Sequence, residues 1–284
     1  MIRVEKISFK YKRKTVFTDF NLTVAEGKVY GLLGKNGAGK STLLYLMTGL
    51  LKARKGKLFY NDIDVSKRKP ATLNDVFIVP EEFMLPSISL REYLSINSPF
   101  YPRFSSEQLK QNLSHFDLEA DHNINLGSLS MGQKKKVFMS FALSTNTSLL
   151  IMDEPTNGLD IPGKSQFKKF IASNMTDERT IIISTHQVRD IEKLIEHVII
   201  LDNSDILLDA STADICSRLY FAEGVDHYDP DKALYAVPSL TGFNVITTND
   251  NEAETVLNLE TLFNATLSNT GSIKAMFNSK NTSL

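Results

Sequence analysis

The glycine-rich segment 34–42 has the residue types and spacing needed to bind phosphate groups. Four residues separate Gly34 from Gly39, and a lysine and a serine follow, which is the phosphate-loop pattern. A phosphate carries its charge on several oxygens, and glycines let backbone amides approach those oxygens closely. We therefore expect a nucleotide-phosphate site whose contacts come from Gly34, Asn36, Gly37, Ala38, Gly39, Lys40, Ser41 and Thr42.

The sequence on either side of this loop predicts the elements that hold it in place. The apolar run 29–33 indicates a buried strand, and residues 41–50 indicate a helix that Gly49 helps to end. The helix start would add free amides and partial positive charge at the phosphates. In this context we expect Lys40 to reach the β- and γ-phosphates and Ser41 to ligate Mg²⁺. The alternative is a glycine-rich turn without a ligand, and the order strand, loop, helix argues against it.

The segment 149–155 predicts a second apolar strand that ends in two acidic residues. Ligands bind at the carboxyl ends of parallel strands in α/β folds, so we expect Asp153 to hold Mg²⁺ and Glu154 to take a proton from an attacking water. Buried carboxylates without partners would be costly, which favours this interpretation. The apolar run 180–185 predicts another buried strand with His186 at its end. Taken alone, a histidine there is more often an ordinary polar residue.

A serine at the start of a helix provides a second position where an anion can bind. Residues 134–143 predict an amphipathic helix, and Ser130 is the expected N-cap for it. The amides of Met131 and Gly132 would then lie at a positive helix end. By itself, such a serine is more often only a cap.

The predicted hairpin turn at 10–14 is basic and contains one aromatic residue, Tyr11. An aromatic face near a phosphate loop can stack on a purine base. The other interpretation is a half-buried strand residue, and from this residue alone that interpretation is preferred.

Composition and length limit the kinds of protein that this chain can be. With 284 residues, of which 42% are apolar and 23% charged, it has room for one large domain, or for one large and one small domain. A net charge of −1 argues against an electrostatic grip on nucleic acid. Cys216 is the single cysteine, so no internal disulfide is possible. No apolar run reaches the ~20 residues of a membrane span, and residues 1–5 begin a strand rather than a signal peptide, so we expect any membrane role to require another chain.

The order of the predicted elements indicates an α/β protein with two parts. Strands near the N-terminus form an antiparallel β edge, and the strand at 76–79 continues the nucleotide-binding core. Between residues 83 and 146 helical spacing replaces the β-branched runs, which predicts a helical insert. We assign 1–210 to a phosphate-loop domain and 211–284 to a small C-terminal α/β lobe, with a frayed tail at 278–284.

The order of these motifs resembles the ATPase subunit of ABC transporters. The phosphate loop is followed by Leu-Ser-x-Gly-Gln at 129–133, Leu-Ile-Met-Asp-Glu-Pro at 150–155, Gly-Leu-Asp at 158–160 and Ser-Thr-His at 184–186. The resemblance covers residues 1–210 and includes the Leu-Ser-x-Gly-Gln segment, which ordinary phosphate-loop enzymes lack. It implies a phosphate-loop ATPase core and an enzyme that hydrolyses ATP, with ATP and Mg²⁺ as its ligands.

In this family two ATPase domains pair head to tail, and each ATP lies between the phosphate loop of one domain and the Leu-Ser-x-Gly-Gln helix of the other. The resemblance implies that Ser130 and the amide of Gly132 contact the γ-phosphate of the partner's ATP. It implies that Glu154 is the general base and that His186 contacts the γ-phosphate. The further residues that it implies are Gln133 in the same segment, Asp160 at the dimer interface and Tyr11 stacked on adenine.

Two positions differ from the family pattern. Glu81 stands where glutamine is usual, so a carboxylate would offer oxygen to Mg²⁺ or to the water and would add negative charge. Met131 stands where glycine is usual, which is unfavourable if the backbone needs a positive φ and tolerated if only Gly132 approaches the phosphate. We predict that the site is active, because the loop lysine, both strand-end acids and His186 are all present.

The segments 100–104 and 257–263 resemble a bacterial subgroup of exporter ATPases associated with drugs, antimicrobial peptides, sodium or cell-envelope stress. This implies export through separate membrane-spanning subunits, with a second ATPase subunit that is another copy of this chain or a different chain. It also implies a cytoplasmic location on the inner face of the cell membrane and no nucleic-acid partner. Our candidate docking site is Glu81 with residues 83–86, and the alternative is that 83–86 form a local hydrophobic core.

Two other classes of function are open at this point. A non-transport ABC ATPase would use the same dimer closure to act on a cell-envelope or assembly partner. A small-molecule kinase would need neither the Leu-Ser-x-Gly-Gln segment nor the Asp-Glu-Pro ending, so it is disfavoured.

Overall fold

The structure is a computed structural model, and it describes residues 1–119 and 121–278. Residues 279–284 of the predicted frayed tail lie outside the described residues. Along the chain the strands are β1 (Ile2–Tyr11), β2 (Lys14–Val24), β3 (Val29–Gly34), β4 (Lys55–Tyr60), β5 (Ile63–Asp64), β6 (Val76–Val79), β7 (Leu149–Asp153), β8 (Thr180–Thr185), β9 (His197–Asp202), β10 (Asp205–Ser211), β11 (Leu219–Val225), β12 (Ala233–Ser239) and β13 (Gly242–Thr248). The α-helices are α1 (Lys40–Met47), α2 (Pro70–Leu73), α3 (Leu90–Asn97), α4 (Ser106–His115), α5 (Met131–Ser144), α6 (Ile161–Ser173), α7 (Thr212–Arg218), α8 (Leu259–Ser268) and α9 (Thr270–Asn278).

Contacts between residues divide the chain into two compact units. The first unit contains Met1–Val29 and Ser41–Ser184, and the second contains Tyr30–Lys40 and the chain from Thr185 onward. The predicted domain boundary near residue 210 stays a prediction.

The first unit contains an antiparallel sheet and a group of parallel strands. The antiparallel sheet has the order β2-β1-β4-β5 and is the predicted β edge. Strands β6, β7 and β8 pair in parallel, with β7 in the middle. All residues of β7 and β8 are buried, which is typical of parallel strands covered on both faces and explains their unbroken apolar sequences. Because the two strands are parallel and in register, Asp153 lies beside Ser184 at their carboxyl ends.

The chain between β6 and β7 contributes to an aromatic cluster centred on Phe141 of α5. The Phe141 ring contacts those of Phe77, Tyr93, Tyr101 and Phe104, with ring centroids between 5.3 and 6.1 Å apart. Aromatic pairs of this kind add about 0.5–1.5 kcal/mol each beyond the burial of their area. The proline-punctuated aromatic segment of the sequence therefore contributes Tyr101 and Phe104 to the core of the first unit.

The second unit combines the phosphate-loop strand with the C-terminal elements. β3 pairs in parallel with β9, and β10 pairs antiparallel with β9. A separate antiparallel sheet has the order β11-β13-β12, and α8 packs on β13. In the part of the chain that the structure describes, no helix has both the length and the apolar character needed to cross a membrane.

The segment before β9 differs from its predicted structure. Apolar spacing at 191–196 predicts a short helix, which is wrong, because the structure has 3₁₀ turns at Val188–Asp190 and Glu192–Leu194. Ile195 already has extended backbone angles, since β9 begins two residues later. Too few residues are left for a helix, whose first turn is costly to form.

We predict that Phe141→Ala lowers the free energy of unfolding by about 3–5 kcal/mol, because it removes a buried ring and leaves a cavity among its aromatic neighbours. Urea unfolding followed by circular dichroism measures this change. Phe100→Ala is the matched control, since Phe100 is 63% exposed. We expect the control to change stability by about 0.5 kcal/mol or less. Equal effects of the two substitutions would contradict the central position of Phe141.

Candidate functional site

The phosphate loop connects the end of β3 to the start of α1, as the sequence predicts. Gly37 and Gly39 have φ angles of 82° and 104°. Residues with a Cβ rarely adopt these angles, so glycine is required at both positions. The amide of Ala38 donates to the carbonyl of Lys35 at 3.1 Å, which closes a tight turn inside the loop.

Lys40 is the first residue of α1 and is 6% exposed. Its ammonium donates to the carbonyl of Gly34 at 2.8 Å and to that of Lys35 at 3.4 Å. The side chain therefore folds back along the loop, so that its charge lies over the loop backbone. A cation beside the amides of a helix start is an arrangement that binds phosphate.

Asp153 ends β7 and is 1% exposed. Its carboxylate accepts a hydrogen bond from the hydroxyl of Ser184, and the hydroxyl of Ser41 lies close enough to lower its pKa. Burial raises the pKa of Asp153, the two hydroxyls oppose that rise, and the carboxylates of Glu154 and Glu81 add to it. The structure thus brings together Ser41 and Asp153, which the sequence predicts as Mg²⁺ ligands.

The donors at this position fit Mg²⁺. The ion prefers oxygen ligands and is usually held by one or two carboxylates together with substrate phosphates and waters. Among the described residues, no group of three or more His, Cys, Asp or Glu side chains is arranged to hold a metal ion. A magnesium ion bound by Ser41 and Asp153 would therefore depend on phosphate oxygens as well.

Glu154, the predicted general base, has an uncommon backbone conformation. Its φ is 47°, a left-handed angle that costs roughly 1–2 kcal/mol for a residue with a Cβ. Its amide donates to the carbonyl of Ser184 at 2.9 Å. Its carbonyl accepts from the amide of Asn157 at 3.2 Å and from the ammonium of Lys135 at 2.8 Å. These hydrogen bonds hold the turn that carries the glutamate.

Glu81 is connected to the same turn. Its side chain is exposed and accepts from the side-chain amide of Asn157 at 3.0 Å. Glu81, which replaces the usual glutamine, is therefore hydrogen-bonded to a residue of the Glu154 turn. Its predicted role toward Mg²⁺ or the water stays a prediction.

Lys135 contacts the Glu154 turn, although the predicted site residues do not include it. It is 4% exposed, and its ammonium also donates to the carbonyl of Asn157 at 2.8 Å. Burial lowers the pKa of Lys135 to about 8, against the opposing effect of the carboxylates of Glu81, Glu154 and Asp153.

Helical spacing is the sequence signal that distinguishes Lys135 from the lysines beside it. A run of three lysines at 134–136 is typical of a solvated face. Lys135, however, precedes the buried residues Met139, Ala142 and Leu143 by four, seven and eight positions. That spacing places it on the apolar stripe of α5.

The Leu-Ser-x-Gly-Gln segment begins α5 with a capping box. The hydroxyl of Ser130 accepts from the amide of Gln133 at 3.3 Å, and the side chain of Gln133 accepts from the amide of Ser130 at 3.0 Å. Met131 is 66% exposed and has helical backbone angles rather than a positive φ. A Cβ at Gly132 would meet the carbonyl of Gly158 at an ordinary 3.7 Å. Because Met131 has helical backbone angles, the backbone accommodates methionine at this position without strain.

Asp160 and Tyr11 lie in the first unit, and their predicted roles stay predictions. Asp160 caps α6, because its carboxylate accepts from the amide of Gly163 at 2.9 Å. Tyr11 ends β1, is 45% exposed, and contacts the ring of Phe9 edge-on with centroids 4.9 Å apart. The exposed part of the Tyr11 ring is accessible for stacking.

His186 follows β8 in the second unit and has an exposed side chain. The 3₁₀ turns after it are attached to the first turn of α8. Arg189 forms an ion pair with Glu260, and the side chain of Glu192 accepts from the amide of Leu259. Leu259 and Glu260 begin the Leu-Glu-x-x-Phe segment that resembles the C-terminal helix of exporter ATPases. That helix thus holds the chain that follows His186.

Comparison with known sequences identifies relatives of this chain. The ABC transporter family profile matches residues 17–157. A bacitracin transport ATP-binding protein of Bacillus licheniformis is 31% identical over 210 residues, which covers 73% of this chain and 68% of the relative. A linearmycin resistance ATP-binding protein of Bacillus subtilis (strain 168) is 28% identical over 223 residues, which covers 77% of this chain and 72% of the relative.

A solved structure supports the same assignment. It is described as the ATP binding subunit of an ABC transporter, and its TM-score is 0.68 at 26% identity, covering 76% of this chain and 91% of the other. The range matched by the family profile contains the phosphate loop, the Leu-Ser-x-Gly-Gln segment, Asp153 and Glu154. The chain therefore belongs to the ABC transporter family and is an ATPase of that family.

Proposed function

We propose that this chain is the ATP-hydrolysing subunit of an export transporter and works on separate membrane-spanning chains at the cytoplasmic face of the membrane. The observation that carries the proposal is that Ser41 of the phosphate-loop segment lies beside the buried carboxylate of Asp153, which Glu154 follows. Relatives named for bacitracin transport and linearmycin resistance support export as the direction.

The proposed reaction is the hydrolysis of ATP by water. Glu154 takes a proton from the water while the water oxygen attacks the γ-phosphorus. The bond from the γ-phosphorus to the bridging oxygen breaks, and ADP and phosphate leave. Lys40 and the loop amides stabilise the negative charge on the phosphate oxygens. Ser41 and Asp153 would hold Mg²⁺, which when bound neutralises part of that charge.

We propose that a second ATPase subunit, a further copy of this chain, completes each site. Ser130 and Met131 are exposed at the start of α5, so the amides there are accessible to a phosphate held by another subunit. Asp160 is exposed at the start of α6 and would contact the partner. In the subunit that supplies the phosphate loop, His186 would contact the γ-phosphate and Tyr11 would stack on adenine.

We predict that Glu154→Gln retains ATP binding and lowers turnover by about 100-fold or more, because an amide cannot take the proton from the water. With Mg-ATP the variant should elute from a size-exclusion column as a dimer, since the bound ATP is no longer consumed. Phosphate release and elution volume, each with and without Mg-ATP, are the measurements.

Glu82→Gln is the matched control, because Glu82 is exposed and undergoes the same chemical change. It should behave like the unmutated chain. Turnover of Glu154→Gln within about 3-fold of the unmutated chain would contradict the assignment of the base. Loss of turnover without a dimer would show that a different ATPase chain completes the site.

We propose that the membrane-spanning partner docks on a groove in the first unit. The groove has a volume of about 460 Å³, and mostly apolar side chains line it, among them Leu50, Ile78 and Phe100. Leu50 and Phe100 are 54% and 63% exposed. Clustered apolar side chains that remain exposed favour a protein partner.

The sequence of segment 83–86 allows either a docking site or a local hydrophobic core, and two of its residues differ in this respect. Phe83 stacks on Phe138 with ring centroids 4.6 Å apart, so it belongs to the local core. Met84 is 95% exposed, so it remains a candidate contact for the partner.

We predict that Leu50→Glu combined with Phe100→Glu removes binding to the membrane-spanning chain, because two carboxylates would have to be buried against an apolar partner. The measurement is the polytopic protein that co-purifies with the tagged chain from detergent-solubilised membranes of the source organism. Leu240→Glu is the control, since Leu240 is an exposed apolar residue of the second unit. Unchanged co-purification would contradict this docking groove, and the absence of any polytopic protein with the unmutated chain would favour the non-transport class.

A further inference from the structure

Lys135 occupies a position that is unusual for a lysine. It lies on the buried face of α5 and is 4% exposed. Taking an ammonium out of water is costly unless it is hydrogen-bonded and close to opposite charge. The partners of Lys135 therefore indicate what this side chain does.

Two hydrogen bonds connect the Lys135 ammonium to one turn. It donates to the carbonyls of Glu154 and Asn157, in each case at 2.8 Å. These carbonyls lie at the two ends of the four-residue turn that follows β7. A charged donor makes stronger hydrogen bonds than a neutral one, so a single side chain ties both ends of the turn to α5.

The turn contains backbone strain at Glu154, whose φ is 47°. A conformation of this kind persists only when the surrounding structure determines it from several sides. The carbonyl of Ser184 holds the amide of Glu154, and Lys135 holds its carbonyl. Removing the ammonium would take away one of these constraints and allow the turn to relax.

The charge of Lys135 also matters for this turn. The titratable groups that face it are the carboxyls of Glu81, Glu154 and Asp153, and all three act to raise the pKa of the lysine. Lys135 is therefore the buried cation beside the acids at the Glu154 turn.

We propose that Lys135 is a positioning residue for ATP hydrolysis, whose ammonium holds the Glu154 turn in place so that the glutamate is directed at the attacking water. This inference rests on the proposed role of Glu154 as the general base. Lys135 acts through Glu154, whose carbonyl accepts a hydrogen bond from its ammonium.

The first test compares Lys135→Met with Lys136→Met in steady-state ATP hydrolysis. Methionine has a similar length and lacks the ammonium, so kcat should fall about 10- to 100-fold while KM for ATP changes about 3-fold or less. Lys136 is the control, because it is the next residue of α5 and its ammonium donates instead to Gln166 at 3.2 Å. Its substitution should leave kcat within about 2-fold. The same small change for Lys135→Met would overturn the proposal.

A pH profile separates positioning from a structural role and does not require the methionine variant to fold. The pKa of Lys135 is about 8, so kcat/KM of the unmutated chain, which reports the free enzyme, should fall as the pH rises from about 8 to about 9.5. Lys135→Arg keeps its charge over this range, so its profile should stay level at a lower kcat. A level profile in the unmutated chain, or the same decline in both chains, would overturn the proposal.

Glu154→Gln, assayed alongside, distinguishes failure of this inference from failure of the proposed function. If Glu154→Gln retains turnover, the assignment of the base is wrong, and the role of Lys135 is wrong with it. If Glu154→Gln is inactive while Lys135→Met is fully active, only the role of Lys135 is wrong.

Discussion

Buried negative charge at the carboxyl end of β7 is the constraint on which the rest of this site depends. Asp153 is almost fully buried, and the carboxylates of Glu154 and Glu81 raise its pKa further. A carboxylate in such a position must be hydrogen-bonded or paired. The parallel register of β7 and β8 supplies the hydroxyl of Ser184, and the start of α1 supplies that of Ser41. The side-chain oxygens of Ser41 and Asp153 also suit Mg²⁺. The proposed metal site therefore shares Ser41 with the set of groups that stabilise the buried acid.

Helices connect the parts of the proposed mechanism. The capping box at the start of α5 is exposed, and Lys135, little more than one turn later, bonds the turn of Glu154. In the proposed dimer, the start of α5 faces the partner's ATP while Lys135 holds the base of its own subunit. A movement of α5 on nucleotide binding would therefore reach Glu154 through that lysine. The first turn of α8 similarly contacts the segment that follows His186. Glu260 forms an ion pair with Arg189, and the amide of Leu259 donates to the side chain of Glu192.

The features predicted correctly from sequence are those that depend on local signals. The phosphate loop depends on its glycines, and β7 and β8 depend on unbroken apolar runs. Residues 205–225 form β10, α7 and β11, which short-range patterns do not predict because strand formation depends on pairing with distant segments. Whether Met131 strains the backbone depends on φ, which its residue type does not reveal. The lysines on either side of Lys135 make the run look like a solvated face, and its helical spacing from Met139, Ala142 and Leu143 is the signal that it is buried.

Stability and turnover place opposite demands on position 135. Burial lowers the pKa of Lys135 from 10.5 to about 8, so the unfolded chain binds this proton more tightly than the folded chain. The contribution of Lys135 to stability therefore rises as the pH increases from about 8 to 10.5, and at neutral pH its burial is unfavourable. Stability alone would favour an apolar residue at a position that shares a helix face with Met139 and Leu143. The ammonium is explained instead by the turn of Glu154, because its hydrogen bonds to the carbonyls of Glu154 and Asn157 hold a strained backbone in place.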